Sequence, residues 1–171
     1  MNQQNFILVE PTAEMESEIL AMAEEFQTAG DNRYQFAIND FGAYLERLAE
    51  FAKGENLPAD RVPSNTYFLM CGGKTIGRSD LRHKLNPELE IIGGHIGYDI
   101  RPSERQKGFG TLILELTLEK ARNIRLKRVF LTCDTDNVAS AKIIERNGGK
   151  LERQILFEKT GKLISHYWIG L

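Results

Sequence analysis

The segment Arg101-Pro102-Ser103-Glu104-Arg105-Gln106-Lys107-Gly108-Phe109-Gly110-Thr111 restricts what this chain can fold into more than any other. It places two glycines between an apolar strand pattern that stops at Pro102 and the first turn of an apolar-striped helix. The first four amides of a helix have no internal partner, and the helix dipole adds partial positive charge there. Such a junction is a ready site for a phosphate or pyrophosphate. Glycine at 108 and 110 permits close approach of an anion, and Arg105 and Lys107 add positive charge beside it. On spacing alone a ligand-free turn fits equally well. A P-loop is excluded, because Gly110 is followed by Thr111-Leu112 where Lys and Ser or Thr are required. A dinucleotide fingerprint is weak, because no third glycine stands in register.

The flanking pattern sets the context of that junction. Phe6-Ile7-Leu8-Val9, stopped by Pro11, reads as a buried strand. Met15, Ile19, Met22, Ala23 and Phe26 recur at helical spacing after a Thr12 cap, with an end near Gly30. Phe41, Tyr44, Leu45, Leu48 and Phe51 form a second stripe with Gly54 as a left-handed terminator. The stretch Gly30 to Asn39 reads as a polar connection, and Gly54 to Asn65 as a loop. Strands over Thr66–Cys71 and Thr75–Leu81 flank Gly72-Gly73-Lys74 as a hairpin. A strand from His95 to Arg101, a helix from Phe109 to Leu126, a strand from Arg128 to Cys133 and a helix from Val138 to Asn147 follow. Strands over Leu151–Glu158 and Leu163–Leu171 close the order βααβββαβαββ, which predicts a mixed sheet with helices on its faces.

With 171 residues, the expectation is one domain over 1–171. Lys and Arg total 22 against 24 Asp and Glu, a net charge of −2, so general nucleic-acid binding is disfavoured. No apolar run reaches the roughly 18 residues of a membrane helix, and Met1 to Asn5 lacks the marks of an export signal; a cytoplasmic protein with no membrane partner is expected. Cys71 and Cys133 read as buried, reduced thiols, and no Cys/His cluster has zinc spacing, so no metal is expected.

Arg105-x-x-Gly108-x-Gly110, after a strand ending at Pro102 and opening a long helix, resembles the acyl-CoA pyrophosphate loop of the GNAT superfamily, the acetyl-CoA-dependent N-acetyltransferases. Asn137, Ala141 and Gly148-Gly149 add to the likeness, which is nearest to a "predicted acetyltransferase" branch whose helix ends in Asn-Gly-Gly. The resemblance implies an α/β (α+β) fold: a mixed, mostly antiparallel sheet of about seven strands splayed into a V, flanked by about four helices. It implies acetyl-CoA as co-substrate. Backbone groups of Tyr98, Asp99 and Ile100 would pair with the pantetheine arm, while Arg105, Gln106, Lys107, Gly108, Phe109, Gly110 and Thr111 would hold the pyrophosphate. Asn137 would touch the cofactor, cap the following helix, or do both.

The implied reaction is attack of a primary amine, on a small molecule or a protein, on the thioester. It needs a backbone donor for the oxyanion, near Tyr98 to Ile100, and a base, because a lysine-like amine has a pKa near 10.4. Many family members place an acidic Tyr seven residues after the Asn, but that position here is Ile144. Tyr98 or Tyr167 substitutes, or the thiolate leaves unaided, its conjugate thiol having a pKa of roughly 8.5. His95 and Tyr98 are the catalytic candidates, ahead of His83, Glu90 and His166, each of which taken singly reads as an ordinary strand residue. The competing readings are a non-catalytic acyl-CoA-binding module and, further behind, a mononucleotide-binding protein. A homodimer through the C-terminal strands is implied by family analogy.

Overall fold

The computed structural model describes residues 5–171. Strand β1 (Phe6–Val9) leads through a 3-10 turn at Ala13–Met15 into helix α1 (Glu16–Thr28). Thr12 stands at the start of that turn without a side-chain capping bond. The polar connection expected between Gly30 and Asn39 contains a further short helix, α2 (Gln35–Asn39), which brings the helices to five. Its five residues have little helical tendency of their own, and tertiary burial of Tyr34 and Ala37 holds it. Asp40 then caps α3 (Phe41–Lys53) by accepting the Ala43 amide at 2.9 Å, and Gly54 ends it at φ 75°, as its position predicts.

Strands β2 (Ser64–Cys71) and β3 (Lys74–Arg82) turn through Gly72 and Gly73, both at positive φ. Next come β4 (Ile96–Ile100), a 3-10 turn at Pro102–Glu104, and α4 (Phe109–Asn123). The remaining elements are β5 (Arg128–Asp134), α5 (Val138–Arg146), β6 (Lys150–Phe157) and β7 (Lys162–Gly170). Helix α4 stops three residues before the expected Leu126. Arg125 takes φ 64°, its amide returns to Arg122 and the Leu126 amide to Ala121, a Schellman ending with arginine where glycine is usual. Cys133 is buried as expected, whereas Cys71 at the end of β2 is partly exposed; both are free thiols.

Alternation along β2 builds the core. Tyr67 and Leu69 point to one face, among Ile113 and Leu114 of α4, while Phe68 and Met70 point to the other, among Ile19, Met22 and Phe26 of α1. The sheet is therefore sandwiched, as an apolar strand without polar alternation requires.

The seven expected strands are present, and every ladder is antiparallel. They form two sheets, β1-β2-β3-β4 and β5-β7-β6. The sheets meet where the His95 amide donates to the Phe130 carbonyl at 2.7 Å and the Phe130 amide donates to His95 Nδ1 at 2.9 Å. Gly94 makes that approach possible, since a β-carbon there would stand 2.3 Å from the Phe130 oxygen. Beyond this seam no ladder joins β4 to β5 among the described residues, and the strands splay into the expected V.

The chain leaving β4 is clamped. Arg101 is buried, donating from Nε to Glu25 at 2.7 Å and from Nη1 to the Thr75 carbonyl at 3.2 Å. The second Glu25 oxygen accepts the Ser103 amide at 3.0 Å, and Glu104 takes both Lys74 and Lys107. Burial opposes charge on Glu25, but the Arg101 and Ser103 bonds outweigh it and hold its carboxyl below the usual range.

Gly94→Ala should cost about 3 kcal/mol, read as a drop in denaturant midpoint at unchanged slope, because backbone must move at the seam. Gly72→Ala, also at positive φ but with open space around it, should cost only about 1 kcal/mol. Glu25→Gln should cost about 1 kcal/mol at pH 7, allowing for solvent screening of a partly exposed group. A depressed carboxyl stabilises the fold above its unfolded pKa and loses that contribution as pH falls through the folded one. The penalty should therefore shrink below about pH 4, followed by thermal melts across pH.

Candidate active site

The amides of Gln106, Lys107, Gly108, Phe109 and Gly110 donate to no protein acceptor among the described residues. They form a curl of free donors, with Gln106 at φ 62° and Gly108 at φ 86°, opening onto the start of the 15-residue α4. The geometry is that of an anion nest reinforced by a helix dipole. The glycines have different tasks, which spacing could not show. At Gly108 a β-carbon would meet nothing within 4 Å, so the residue supplies a left-handed backbone and open space above it. At Gly110 it would stand 2.5 Å from Ile143 Cδ1, so the missing side chain there serves the packing of α4 on α5, while the amide stays in the nest.

Thr111 also departs from expectation, because its amide is spent on the Gly108 carbonyl at 3.1 Å. Lys107 is paired with Glu104 at 2.9 Å, which leaves Arg105 as the residue of this segment without a carboxylate within 4.0 Å among the described residues. Arg105 donates to the Ile100 carbonyl at 3.2 Å, and its guanidinium lies 5.4 Å from the Phe26 ring. Phe109 packs its ring against Phe6 at 5.2 Å.

The junction follows β4, the strand that borders the V. Arg82 donates to the His95 carbonyl and Arg101 to the Ile76 carbonyl, so positions 95 and 101 carry ladder bonds in one register with β3. Antiparallel alternation then gives Gly97 and Asp99 to β3 and turns the backbone groups of Ile96, Tyr98 and Ile100 into the gap. The Tyr98 backbone thus borders the gap, the Ile100 carbonyl is taken by Arg105, and the Asp99 backbone is spent on β3, against the expectation for Asp99. The Asp99 side chain lies on the far face, taking the Tyr34 hydroxyl at 2.5 Å and Arg33 at 3.2 Å, and burial raises its pKa despite them.

The gap has a volume of about 280 Å³, with Tyr98, Leu131, Cys133 and Ile144 among its walls. Tyr98 places its hydroxyl 3.0 Å from Ser140 Oγ, and burial lifts its pKa to about 12. Asn137 caps α5 by accepting the Ser140 amide at 3.0 Å and stays exposed, so its amide nitrogen remains free for a ligand. Ile144 is fully buried and gives the wall only hydrocarbon. His95 does not line the gap. Its Nδ1 is occupied by the Phe130 amide, and burial lowers its pKa, so the base expected there is a structural bridge.

The other candidates lie outside the gap. His83 bonds Asn65 at 2.6 Å, His166 bonds the Ile91 carbonyl at 2.8 Å, Tyr167 donates to Glu145 at 3.3 Å, and Glu90 is exposed. Two residues the sequence reading passed over complete the site. Ser140 could have been found as the third residue of the helix that Asn137 caps. Arg82 could have been found from β3 itself, where Arg78, Asp80 and Arg82 alternate onto one polar face. That face borders a second, larger groove of about 720 Å³ against α3, and Arg82 belongs to both the groove and the gap. Among the described residues no group of three or more His, Cys, Asp or Glu is placed to hold a metal ion.

Solved structures share this fold. An acetyl transferase from Salmonella typhimurium, which modifies the N-terminal serine of ribosomal protein L7/L12, matches with a TM-score of 0.71 at 14% identity, covering 99% of this chain and 96% of that one. Mycobacterium smegmatis RimJ in complex with CoA-disulfide gives 0.74 at 13%, over 96% and 81%. The microcin C7 self-immunity acetyltransferase MccE, in complex with acetyl-CoA and AMP, gives 0.72 at 16%, over 99% and 94%. No curated protein matches in sequence. The family model described as "Acetyltransferase (GNAT) domain" matches residues 9–150, which takes in every element from the end of β1 to the close of α5, the nest, and every wall of the gap but Ile164; the chain belongs to the GNAT acetyltransferase family.

Proposed function

We propose that this chain transfers an acetyl group from acetyl-CoA to a primary amine on a small molecule or a protein. The observation that carries the reading is the run of free amides from Gln106 to Gly110 at the start of α4, in the segment that follows β4, the strand whose outer edge borders the gap with unpaired backbone groups. The residues fit the coenzyme. A diphosphate matches the nest, and an amide-rich pantetheine arm matches the Ile96 and Tyr98 backbone as an added strand would. Bound acetyl-CoA supplies an acyl group already activated as a thioester. The relatives in complex with CoA or acetyl-CoA support the same ligand here.

The protein's own contribution begins with placement. A backbone N–H of the gap-facing set is fixed by the β3–β4 ladder and can stabilise developing negative charge without reorganising. Tyr98 replaces the missing acid at position 144. Its buried hydroxyl stays protonated at any ordinary pH, and Ser140 beside it can pass a proton onward. The amine nitrogen bonds the thioester carbon to give the oxyanion, whose collapse breaks the carbon–sulfur bond; the proton shed by the amine passes to solvent, and the sulfur takes one from Tyr98 Oη, which is resupplied through Ser140. Ile144 is the feature that favours a second reading, a module that binds acyl-CoA without turnover.

Gly108→Asp sets a carboxylate above the nest and should weaken acetyl-CoA binding at least tenfold, about 1.4 kcal/mol, measured by calorimetry on a folded variant. Unchanged affinity would remove the loop from the site. Tyr98→Phe should lower kcat about 100-fold with acetyl-CoA affinity retained, and the wild-type rate should show no Tyr98-dependent decline up to about pH 10. Coenzyme binding with no thiol release across polyamines, aminoglycosides, amino acids and peptides would establish the non-catalytic module instead.

A further inference from the structure

The groove against α3 is lined by five arginines and three carboxylates, in a chain whose net charge is −2. Three of the arginines are matched: Arg33 with Asp31 and Asp99, Arg61 with Asp60, and Arg78 with Asp80. Arg47 and Arg82 face no carboxylate within 4.0 Å among the described residues. Arg47 is exposed and stacks over Phe36 at 5.3 Å.

Arg82 is half-buried, a costly place for an unmatched charge. One Nη donates to the Gly93 and Gly94 carbonyls at 3.2 and 3.0 Å, while the other nitrogens have no protein acceptor. Deeper in the groove wall, Arg78 Nε and the Tyr44 hydroxyl are both buried and both without a partner. The polar groups of this wall are donors in excess of acceptors.

Position gives that excess a meaning. Arg82 lines the groove and the gap alike, and its second Nη lies 3.8 Å from where a β-carbon of Gly97 would stand. Gly97 is the β4 residue before Tyr98 and lines the gap with Arg82. A guanidinium fork pairs bidentately with a carboxylate or phosphate. An anion held there sets a neighbouring amine at the mouth of the gap, beside the strand that would carry the thioester.

We propose that Arg82 grips a carboxylate or phosphate lying a few bonds from the acceptor's amine, so that the preferred acceptors of this enzyme are anionic amines. This rests on the acetyltransferase reading above. Two sources share the chemistry, a free amino acid or phosphoamine and the acidic end of a peptide. The groove, at about 720 Å³, is of a size that encloses small molecules.

The test uses matched twins that differ only in the anion: phenylalanine and phenylalaninamide, O-phosphoethanolamine and ethanolamine, and peptides with Asp or Asn as second residue. Thiol release is followed at saturating acetyl-CoA for the wild type, Arg82→Gln and Arg82→Lys. Binding of each twin to the CoA-saturated protein is titrated by calorimetry in parallel.

The anionic member of at least one pair should be favoured tenfold or more in kcat/KM, or in affinity where turnover is absent. Arg82→Gln should reduce that ratio to about twofold or less, and Arg82→Lys, which keeps charge without the fork, should leave an intermediate ratio. Which pair responds tells the small-molecule source from the peptide one. Equal twins in every wild-type pair overturn the proposal, as does a preference that survives in a folded variant. Turnover with equal twins defeats the acceptor assignment alone, whereas a protein that binds no CoA defeats the acetyltransferase reading and this inference with it.

Discussion

Two hydrogen bonds between His95 and Phe130 mark where β4 and β5 meet, above an apolar core that both sheets share, and the site exists because the pairing stops there. Had β4 and β5 continued to pair, the backbone groups of Ile96, Tyr98 and Ile100 would be spent on β5 and no cleft would open. A histidine ring in place of a second backbone acceptor is what interrupts the pairing, since it satisfies the Phe130 amide while the chain turns away. The burial that depresses the His95 pKa keeps the ring neutral, which is the state in which Nδ1 can accept. Gly94 is the steric half of the same device. Any side chain there would drive the strands apart before the bridge could form.

Charge is distributed on the same plan. At the nest, cations that could crowd a diphosphate are diverted: Arg101 is clamped to Glu25 beneath the loop, and Lys107 is shared into Glu104 with Lys74. What remains for a ligand is mostly backbone N–H, fixed in direction and tolerant of no other chemistry. Behind β4 the polar groups are buried in a cluster instead. The Tyr34 hydroxyl and Arg33 hold Asp99, while Arg78 lies across the Tyr34 ring at 5.6 Å and reaches Asp80 at 2.9 Å. This cluster ties α2 to the sheet, and it explains why so short a helix is ordered at all.

Much of this was legible in the chain. Apolar runs and turn residues located all seven strands, Gly54 and Asn137 marked a helix end and a helix start, and the Gly108 junction pointed to an anion. What stayed hidden depended on contacts distant in sequence. Helix α2 was obscured because Tyr34 and Ala37 sit among polar neighbours, and only the tertiary fold shows that they are buried. The Schellman ending at Arg125 was obscured because its left-handed residue is not glycine. The packing duty of Gly110 was obscured because spacing cannot show that its missing side chain makes room for Ile143. His95 and Asp99 were misplaced for one reason: whether a strand residue serves a seam, a buried cluster or a cleft is decided by register, which only the paired strands reveal.

The division of β4 into alternating duties also bears on the order of events. Its backbone at Ile96 and Tyr98 faces the gap, whereas the side-chain positions of Gly97 and Asp99 belong to the face that carries Arg78, Asp80 and Arg82. A coenzyme arriving from the nest and an amine arriving from the groove would therefore approach one strand from different sides, and neither path crosses the other. Such a layout suits the direct transfer proposed above. Cys133, the thiol lining the gap, is pushed by burial toward its unreactive protonated form. Direct transfer in turn requires that the amine be aimed and not merely admitted, and Arg82, the cation common to both openings, stands where that aim is set.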